Sequence, residues 1–399
     1  MPDQSPNGRH GGPKAVTRAL LVFVAVGAVL AALLTSVGAE DVVPGRPQAA
    51  PVTTTTAGTT TAGATTTTPP PDPCAVRAAS LTPRLRLAQL LMVGVDPRGS
   101  EDALNLVRSE QVGAIFIGGD ATGLLTGGLD VVRSAAALPL VVAVDDEGGR
   151  VQRVEMLDGD MPSARRMAQA MSPDQVRALA RDRSAALRNR GVTMDLAPVL
   201  DISDQPDNTV IGDRSFSPDP ATAATYAQAF AEGLRDAGTT PVLKHFPGHG
   251  NTSGDSHQGA VTAPPLDALR RADLLPYRDI ARYGPVVVML GHIDVPGLTG
   301  GLPATLSPEA YALLRGEYRF SGPAMTDDLG AMRAVTDRVD LPEAVRQALA
   351  AGADIALWST GGRTGQVLDH LEASVAAGTL PAARVDEAVK RVLAMKGAC

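Results

Sequence analysis

Cysteine and aromatic residues are scarce in this chain of 399 residues, and positive charge is not in excess. The only cysteines are Cys74 and Cys399, which excludes a small disulfide-dense domain and a cysteine metal cage. Aromatic residues make up 3% of the sequence, too few for a surface that stacks on nucleic-acid bases. The formal net charge of −7 also argues against a phosphate-binding surface, so we expect no nucleic-acid partner.

Hydrophobic residues, by contrast, make up 44% of the sequence. This fraction supports a buried core and excludes a wholly disordered or fibrous protein. By length alone, the chain suffices for two or three domains of about 150 residues each, or for one large α/β barrel.

The first 39 residues have the three parts of an export signal. Basic residues precede an apolar run at 19–34, and Val37 and Ala39 occupy positions −3 and −1 of a small-residue cleavage site. The alternative is a membrane tether through residues 19–39, although the apolar run is shorter than the roughly 20 residues of a spanning helix. In either case we expect an exported protein, secreted or held at the outer face of the membrane or at the cell wall.

Residues 40–73 are rich in Thr, Ala, Pro and Gly, with runs at 53–56 and 69–71. A segment with so few apolar side chains gains too little from burial to offset its ordering entropy. We therefore predict a disordered linker that spaces the following domain from a membrane or wall. The folded part is predicted to be one domain over residues 74–399.

Short apolar runs alternate with amphipathic stretches throughout that domain. The runs that predict strands are 91–95, 113–118, 140–144, 194–199, 241–244, 286–291, 323–326 and 354–358. The stretches that predict helices include 172–190, 221–237, 266–283, 308–318 and 341–351. Continuous apolar strands separated by helices indicate a buried parallel sheet, and eight of them predict an α/β fold of the (β/α)₈ TIM-barrel type.

Polar side chains follow directly after most of these strands. Because the C-terminal ends of barrel strands open at one mouth, we expect these side chains to lie together there. They are Asp145, Asp146, Glu147, Asp201, Lys244, His245, His292, Asp327, Asp328 and Trp358.

A loop rich in glycine and histidine follows the fifth predicted strand, with the sequence KHFPGHGNTSGDSH at 244–257. A metal site and a phosphate-binding loop are alternatives, but neither HExxH nor GxxxxGK[ST] is present. Asp255 lies two residues from His257, close enough for its carboxylate to polarise the imidazole for proton transfer near neutral pH. Asp327 ends the seventh strand, where a nucleophile would be displayed; capping of the next helix is the alternative for Asp327 or Asp328.

The segment DDEGGRVQR at 145–153 follows the third predicted strand. Its carboxylates accept and its arginines donate hydrogen bonds, a combination suited to several neighbouring sugar hydroxyls. An internal ion-pair network beneath the site is the alternative. Arg214, within IGDRSF, is open to the same two interpretations.

In chain order, VDDEGGRVQR, APVLD, IGDRSF, KHFPGHGNTSGDSH and MTDDLGAM resemble the signatures of glycoside hydrolase family 3, most closely its single-barrel β-N-acetylglucosaminidase branch. The resemblance spans residues 81–392. Asp146 and Thr326 are mild departures from residues frequent in the family. The resemblance implies a retaining exo-enzyme that removes terminal β-linked N-acetylglucosamine (GlcNAc) from peptidoglycan fragments or chitin oligomers. A family 3 β-glucosidase, a GlcNAc phosphorylase and a non-catalytic wall-binding barrel are the alternatives.

The same resemblance implies individual roles. Asp327 is expected to be the nucleophile, and His257 the general acid/base, oriented by Asp255. The residues implied to hold the sugar in the −1 subsite are Asp145, Arg153, Arg214, Lys244 and His245. We expect a carbohydrate substrate, a monomer, and neither a metal nor a cofactor.

The two cysteines take on a new meaning in a closed barrel. Such a barrel places its first and last elements side by side, and export supplies an oxidising compartment. We therefore predict a disulfide between Cys74 and Cys399; two unpaired thiols are the alternative.

Overall fold

The computed structural model describes residues 72–119 and 122–399. The predicted export signal and all but the end of the predicted linker lie outside these residues. Among the described helices, none combines the length and the apolar character needed to cross a membrane.

Eight parallel strands form the centre of the described fold. They are β1 (Leu91–Val95), β2 (Ala114–Ile117), β3 (Val141–Val144), β4 (Met194–Asp195), β5 (Thr240–Phe246), β6 (Val287–Leu290), β7 (Ala324–Thr326) and β8 (Ala356–Trp358). Each strand pairs with its neighbours in chain order, and β1 pairs with β8. A bridge between Met325 and Ile355 joins β7 to β8, so the predicted (β/α)₈ barrel is confirmed.

Helices and short helical turns connect the strands. The α-helices are α1 (Pro73–Ala79), α2 (Pro83–Ala88), α3 (Glu101–Glu110), α4 (Thr122–Leu125), α5 (Leu129–Ser134), α6 (Glu155–Asp158), α7 (Ala164–Ala170), α8 (Pro173–Asn189), α9 (Pro220–Asp236), α10 (Leu266–Arg271), α11 (Pro308–Gly316), α12 (Arg333–Thr336), α13 (Leu341–Ala351), α14 (Thr364–Ala376) and α15 (Ala382–Met395). The 3₁₀ turns are Gly212–Arg214, Leu275–Tyr277, Ile280–Tyr283 and Ala304–Leu306.

The longest helices follow from local sequence signals. α8 begins with a capping box, in which the Ser172 hydroxyl accepts from the N–H of Gln175 and the Gln175 side chain accepts from the N–H of Ser172. α8 packs against α9, where Gly233 faces the backbone of Arg177 so closely that a Cβ would collide with it. Capping and a small residue at the crossing therefore set this helix pair.

Two predicted elements are shorter than expected. The predicted helix at 266–283 ends at Arg271 and is followed by two 3₁₀ turns. Pro276 lies in the first of these turns, and it has no N–H with which an α-helix could resume there. Of the predicted strand at 194–199, only Met194 and Asp195 form a regular strand. Pro198 cannot donate to a strand ladder, and beyond it Val199 forms a single parallel bridge with Lys244.

α15 crosses the N-terminal face of the barrel. Near its start, Arg384 Nη2 donates to the carbonyl of Ala353, just before β8, at 2.9 Å. Just beyond its end, Lys396 Nζ donates to the carbonyl of Gly113, just before β2, at 3.0 Å. The helix therefore closes the end of the barrel opposite the predicted mouth.

The disulfide joins the two ends of the described fold. Cys74 and Cys399 are bonded, with their Cα atoms 4.9 Å apart and 325 positions apart in the chain. Cys74 lies in α1, which packs against α15. The structure thus contains the bridge that the sequence predicts.

Candidate active site

The residues implied by the sequence converge on the C-terminal mouth of the barrel. Lys244 and His245 lie at the end of β5, and Asp145 and Asp327 directly follow β3 and β7. The loops after β3, β4 and β5 supply Arg153, Arg214, Asp255 and His257. Among the described residues, no cluster of three or more His, Cys, Asp or Glu side chains is arranged to hold a metal ion.

The adjacent carboxylates Asp327 and Asp328 have different surroundings. Oδ1 of Asp328 accepts from the N–H groups of Gly330 (2.8 Å), Ala331 (3.2 Å) and Ser359 (3.1 Å), and the Ser359 hydroxyl donates to Oδ2. Oδ1 of Asp327 accepts from the N–H of Asp328 at 2.8 Å. Asp328 therefore fixes the turn after β7, since α12 begins too far along to be capped by it, whereas the carboxylate of Asp327 accepts one hydrogen bond among the described residues, from the N–H of Asp328.

The environment of Asp327 favours its ionised form. Burial acts to raise its pKa, but nearby His245 and His292 and the N–H of Asp328 together hold that pKa below its ordinary value. An ionised carboxylate at the mouth is the state that a nucleophile requires.

A buried ion-pair cluster lies beside Asp327. Lys244 Nζ is 2.6 Å from Asp145 Oδ1 and 2.5 Å from Glu147 Oε1. Arg214 binds Glu147 through two bonds, Nε to Oε2 at 2.8 Å and Nη2 to Oε1 at 2.7 Å. Burial acts to raise the pKa of Glu147, but Arg214 and Lys244 outweigh it and hold the pKa well below its ordinary value. The side chain of Asp145 is 20% exposed and that of Glu147 4%, so Asp145 is the carboxylate accessible to a ligand.

Asp146 belongs to the interior. Its Oδ1 accepts from the N–H of Arg153 at 2.8 Å, and its Oδ2 lies 3.2 Å from Nε of Arg183. Its own N–H donates to Asp195, whose pKa burial raises well above the ordinary value. Asp146 and Glu147 are therefore part of an internal ion-pair network, the alternative to sugar binding for this segment. Arg153, by contrast, retains a buried Nε without a hydrogen-bond partner among the described residues.

Asp201 organises two of the histidines. Its Oδ2 lies 2.6 Å from His245 Nδ1, and its Oδ1 accepts from the N–H of His249 at 2.7 Å. Burial acts to raise the pKa of Asp201, but the two histidines outweigh it, and the pKa lies below its ordinary value. A carboxylate acceptor gives His245 an Nδ1–H tautomer and leaves its Nε2 for a ligand.

The predicted dyad forms in the structure. Asp255 Oδ1 lies 2.8 Å from His257 Nδ1 and accepts from the N–H of His257 at 2.9 Å. The side chain of His257 is 58% exposed and that of Asp255 25%, so the imidazole is open to solvent while the carboxylate is partly covered. Burial acts to raise the pKa of Asp255, but its bonds from His257 bring it below the ordinary value.

Contacts of the intervening Ser256 fix the dyad loop against the start of α12. The carbonyl of Ser256 accepts from the N–H of Ala334 at 3.1 Å, and its hydroxyl contacts the sulfur of Met332 at 3.8 Å. The charges of His257 and Asp327 both influence the pKa of buried His292, which burial lowers. His257 and Asp327 therefore both lie near His292.

An ionised carboxylate, an exposed imidazole held by a second carboxylate, and an ion-pair cluster thus share the mouth of a barrel. Residues 82–395 match the family described as Glycosyl hydrolase family 3 N terminal domain. The chain belongs to glycosyl hydrolase family 3. It is therefore a glycoside hydrolase, and the family and enzyme class predicted from the sequence are confirmed.

The relatives within the family are similar over most of the chain. Beta-hexosaminidase LpqI of Mycobacterium tuberculosis is 53% identical over 327 residues, which cover 80% of this chain and 84% of LpqI. The solved structure of M. tuberculosis LpqI superposes with a TM-score of 0.79 and covers 81% of this chain and 96% of that one. A family 3 β-N-acetylglucosaminidase from Paenibacillus sp. str. FPU-7 is 34% identical, with a TM-score of 0.75, covering 80% of this chain and 63% of that one.

Three residues of the site were not assigned roles from the sequence. Asp201 stands in the APVLD segment and Glu147 in DDEGGR, and both are recognisable in the sequence as polar residues that follow a strand. The sequence does not indicate which residues they pair with. His249 lies in the glycine-rich loop without a neighbouring acid in the sequence. Trp358, one of the side chains expected at the mouth, is fully buried, and its Nε1 donates to the carbonyl of Gly362 at 3.3 Å.

Proposed function

We propose that this protein is a retaining exo-β-N-acetylglucosaminidase that removes terminal β-linked GlcNAc from peptidoglycan fragments or chitin oligomers. The observation that carries the proposal is the pairing of Asp255 with exposed His257 on the loop after β5, at the same mouth of the barrel as Asp327, whose pKa is held below its ordinary value. The similarity to a curated β-hexosaminidase and to a solved β-N-acetylglucosaminidase supports the sugar specificity.

In the first step, Asp327 attacks the anomeric carbon and a covalent glycosyl ester forms. The protonated imidazole of His257 gives its Nε2 proton to the leaving glycosidic oxygen as the C–O bond breaks. Asp255 accepts from Nδ1–H and so stabilises the imidazolium before the proton is given up.

In the second step, the neutral Nε2 of His257 takes a proton from water, and the water oxygen attacks the anomeric carbon. The ester bond to Asp327 breaks, and its carboxylate is restored. Two inversions at one carbon return the β configuration, so the product GlcNAc is released with net retention.

Sugar binding is assigned to the cluster around Lys244. Asp145 accepts from sugar hydroxyls, while Lys244, Arg153 and Arg214 donate to them, and His245 offers its Nε2. Glu147 lies beneath this layer, where it holds Lys244 and Arg214 in position.

The same proposal includes an exported protein. The disulfide between Cys74 and Cys399 supports an oxidising compartment. The predicted signal or anchor at 1–39 would direct the protein out of the cell, and the predicted linker at 40–73 would space the catalytic domain from the membrane or wall. A carbohydrate substrate outside the cell then consists of wall fragments or chitin oligomers, and the domain at 74–399 acts on them as a monomer.

The test compares release of p-nitrophenol from its β-GlcNAc and β-glucose glycosides, with and without inorganic phosphate. Preference for the GlcNAc glycoside, and β-GlcNAc as the first product in a proton NMR time course, support the proposal. Equal or faster cleavage of the glucoside would contradict it in favour of a β-glucosidase. Formation of GlcNAc 1-phosphate in phosphate buffer would indicate a phosphorylase, and no turnover would indicate a non-catalytic barrel.

A further inference from the structure

His249 is a buried histidine that the steps above do not use. Only 3% of the residue is exposed, and its ring packs edge-on against that of His245 with centroids 5.7 Å apart. Its backbone is fixed from below, because its N–H donates to Asp201. It therefore stands between the floor of the sugar subsite and the loop that carries the dyad.

The two ring nitrogens of His249 reach two hydroxyls of the dyad loop. Nδ1 lies 3.0 Å from Oγ1 of Thr252, and Nε2 lies 3.3 Å from Oγ of Ser256. Ser256 is the residue between Asp255 and His257, and it is 1% exposed. The ring thus connects Thr252, earlier in the loop, to Ser256, the residue between the two members of the dyad.

The hydrogen bonds define which nitrogen carries the proton. Burial lowers the pKa of His249 to about 4, so the ring is neutral and has one donor and one acceptor. The Thr252 hydroxyl can give its single proton to the carbonyl of His249, 2.9 Å away, and then accept from Nδ1–H. Nε2 is left to accept from the hydroxyl of Ser256, whose single proton is shared between Nε2 at 3.3 Å and the weaker acceptor, the sulfur of Met332, at 3.8 Å.

We infer that His249 is a positioning residue for the acid/base dyad: through Ser256 it holds Asp255 and His257 at the height from which His257 reaches the leaving oxygen. The inference rests on the proposed acid/base role of His257. The carbonyl of Ser256 is already held by the N–H of Ala334, so the bond from His249 fixes the other side of the same residue. Loss of that bond lets the imidazole shift while Asp327 and the sugar subsite stay in place.

This geometry predicts a loss that depends on the leaving group. A sugar alcohol needs protonation to leave, whereas 2,4-dinitrophenolate departs without it. A misplaced His257 therefore slows cleavage of chitobiose and spares the first step on 2,4-dinitrophenyl β-GlcNAc. A general defect in folding or in sugar binding slows both substrates equally.

The experiment measures kcat/KM on both substrates in the full chain and takes their ratio, which does not depend on the fraction of folded enzyme. We expect His249→Asn, whose amide occupies the Nδ1 position and cannot reach Ser256, to lose about 10- to 100-fold on chitobiose and less than about 3-fold on the dinitrophenyl glycoside. His249→Gln, whose amide reaches the Nε2 position, is expected to restore most of the chitobiose rate. Ser256→Ala, which keeps the backbone bond to Ala334, is expected to behave as His249→Asn does.

His257→Ala separates the inference from the function on which it rests. It is expected to lose about 10²- to 10⁴-fold on chitobiose with a small loss on the dinitrophenyl glycoside. If His257→Ala loses equally on both, the proposed acid/base role is wrong. If His257→Ala shows the selective loss while His249→Asn and Ser256→Ala change both substrates equally or not at all, the positioning role of His249 is overturned.

Discussion

Oδ2 of Asp201 lies 2.6 Å from Nδ1 of His245, and both side chains are buried. The same carboxylate accepts from the N–H of His249, so one acid serves both the subsite and the base of the dyad loop. The N–H of His249 and the histidine charges favour its ionised form, and its pKa lies below the ordinary value.

Asp201→Asn replaces one acceptor oxygen with an amide that must point its own N–H groups at these donors. We expect the free energy of unfolding to fall by about 1–3 kcal/mol, from the unsatisfied buried donors. We also expect a fall in kcat/KM on p-nitrophenyl β-GlcNAc, since His245 loses its fixed tautomer. Urea unfolding and initial rates on the same preparation measure both, and unchanged values for both would contradict this view of Asp201.

Asp327 and Asp328 form a matched pair of adjacent carboxylates. Asp327→Asn keeps the acceptor for the N–H of Asp328 and is expected to reduce turnover by about 10⁴-fold or more, with the melting temperature within a few degrees. Asp328→Ala removes the acceptor for three backbone N–H groups and is expected to cost about 1–3 kcal/mol of stability. Thermal melting and rate measurements on both variants check this. If Asp328→Ala abolished turnover while Asp327→Asn mainly lowered stability, the assignment of Asp327 as the nucleophile would be wrong.

Glu147 is predicted to stabilise the fold in a pH-dependent way. Its folded pKa is depressed, so the stabilisation is complete above its ordinary value of 4.5 and is lost as the pH falls through the folded value. Glu147→Gln leaves Lys244 and Arg214 less compensated and is expected to cost about 3–5 kcal/mol at pH 7. The difference from the parent protein in urea unfolding should shrink below pH 4.5; a difference constant with pH would contradict the depressed pKa.

Asp273 lies beneath the dyad loop and titrates in the opposite sense. Its Oδ1 accepts from Nδ2 of Asn251 at 3.0 Å, and burial raises its pKa to about 6. Because its folded pKa lies above the ordinary 3.8, its contribution to stability is greatest at low pH and is lost as the pH rises through that window. Asp273→Asn should remove this decrease between pH 4 and about 6 in urea unfolding; an unchanged pH profile would contradict the raised pKa.

The bridge between Cys74 and Cys399 is predicted to stabilise the barrel without affecting catalysis. Cys74→Ser with Cys399→Ser is expected to lower the free energy of unfolding by about 2–5 kcal/mol, because the bridge constrains the unfolded chain. At 25 °C kcat/KM should stay within about 2-fold of the parent, since the bridge joins α1 to the end of the chain and contacts no site residue. Parent protein treated with reductant is the control. A large loss of activity in a fully folded double variant would contradict the view that the bridge stabilises the fold without affecting catalysis.

The fold could be predicted from the sequence because the strands of a parallel barrel are buried on both faces and therefore consist of continuous apolar runs. The two elements predicted markedly too long each contain a proline, which lacks an N–H donor. Pro276 lies in the first 3₁₀ turn that replaces the end of the predicted helix at 266–283, and Pro198 lies between the regular and the bridged parts of the predicted strand at 194–199. Both prolines are visible in the sequence. How far each helix or strand continues near its proline depends on packing against neighbouring elements, which the sequence does not show.

The site was predictable in its residue types and less so in its partners. The dyad of Asp255 and His257 is local, so spacing alone indicated it. The pairing of Arg214 with Glu147 joins positions 67 apart, and only the barrel's closure brings them together. Which arginine donors remain for a sugar therefore depends on packing that no motif encodes.

α15 closes the N-terminal face of the barrel, and the described chain begins at that same end through α1 and its bridge to Cys399. Asp72, the first described residue, therefore lies on the side opposite the mouth. A resin or a fusion partner joined directly at Asp72 is expected to leave the mouth open to glycan ends, so this position is the one at which to immobilise the barrel.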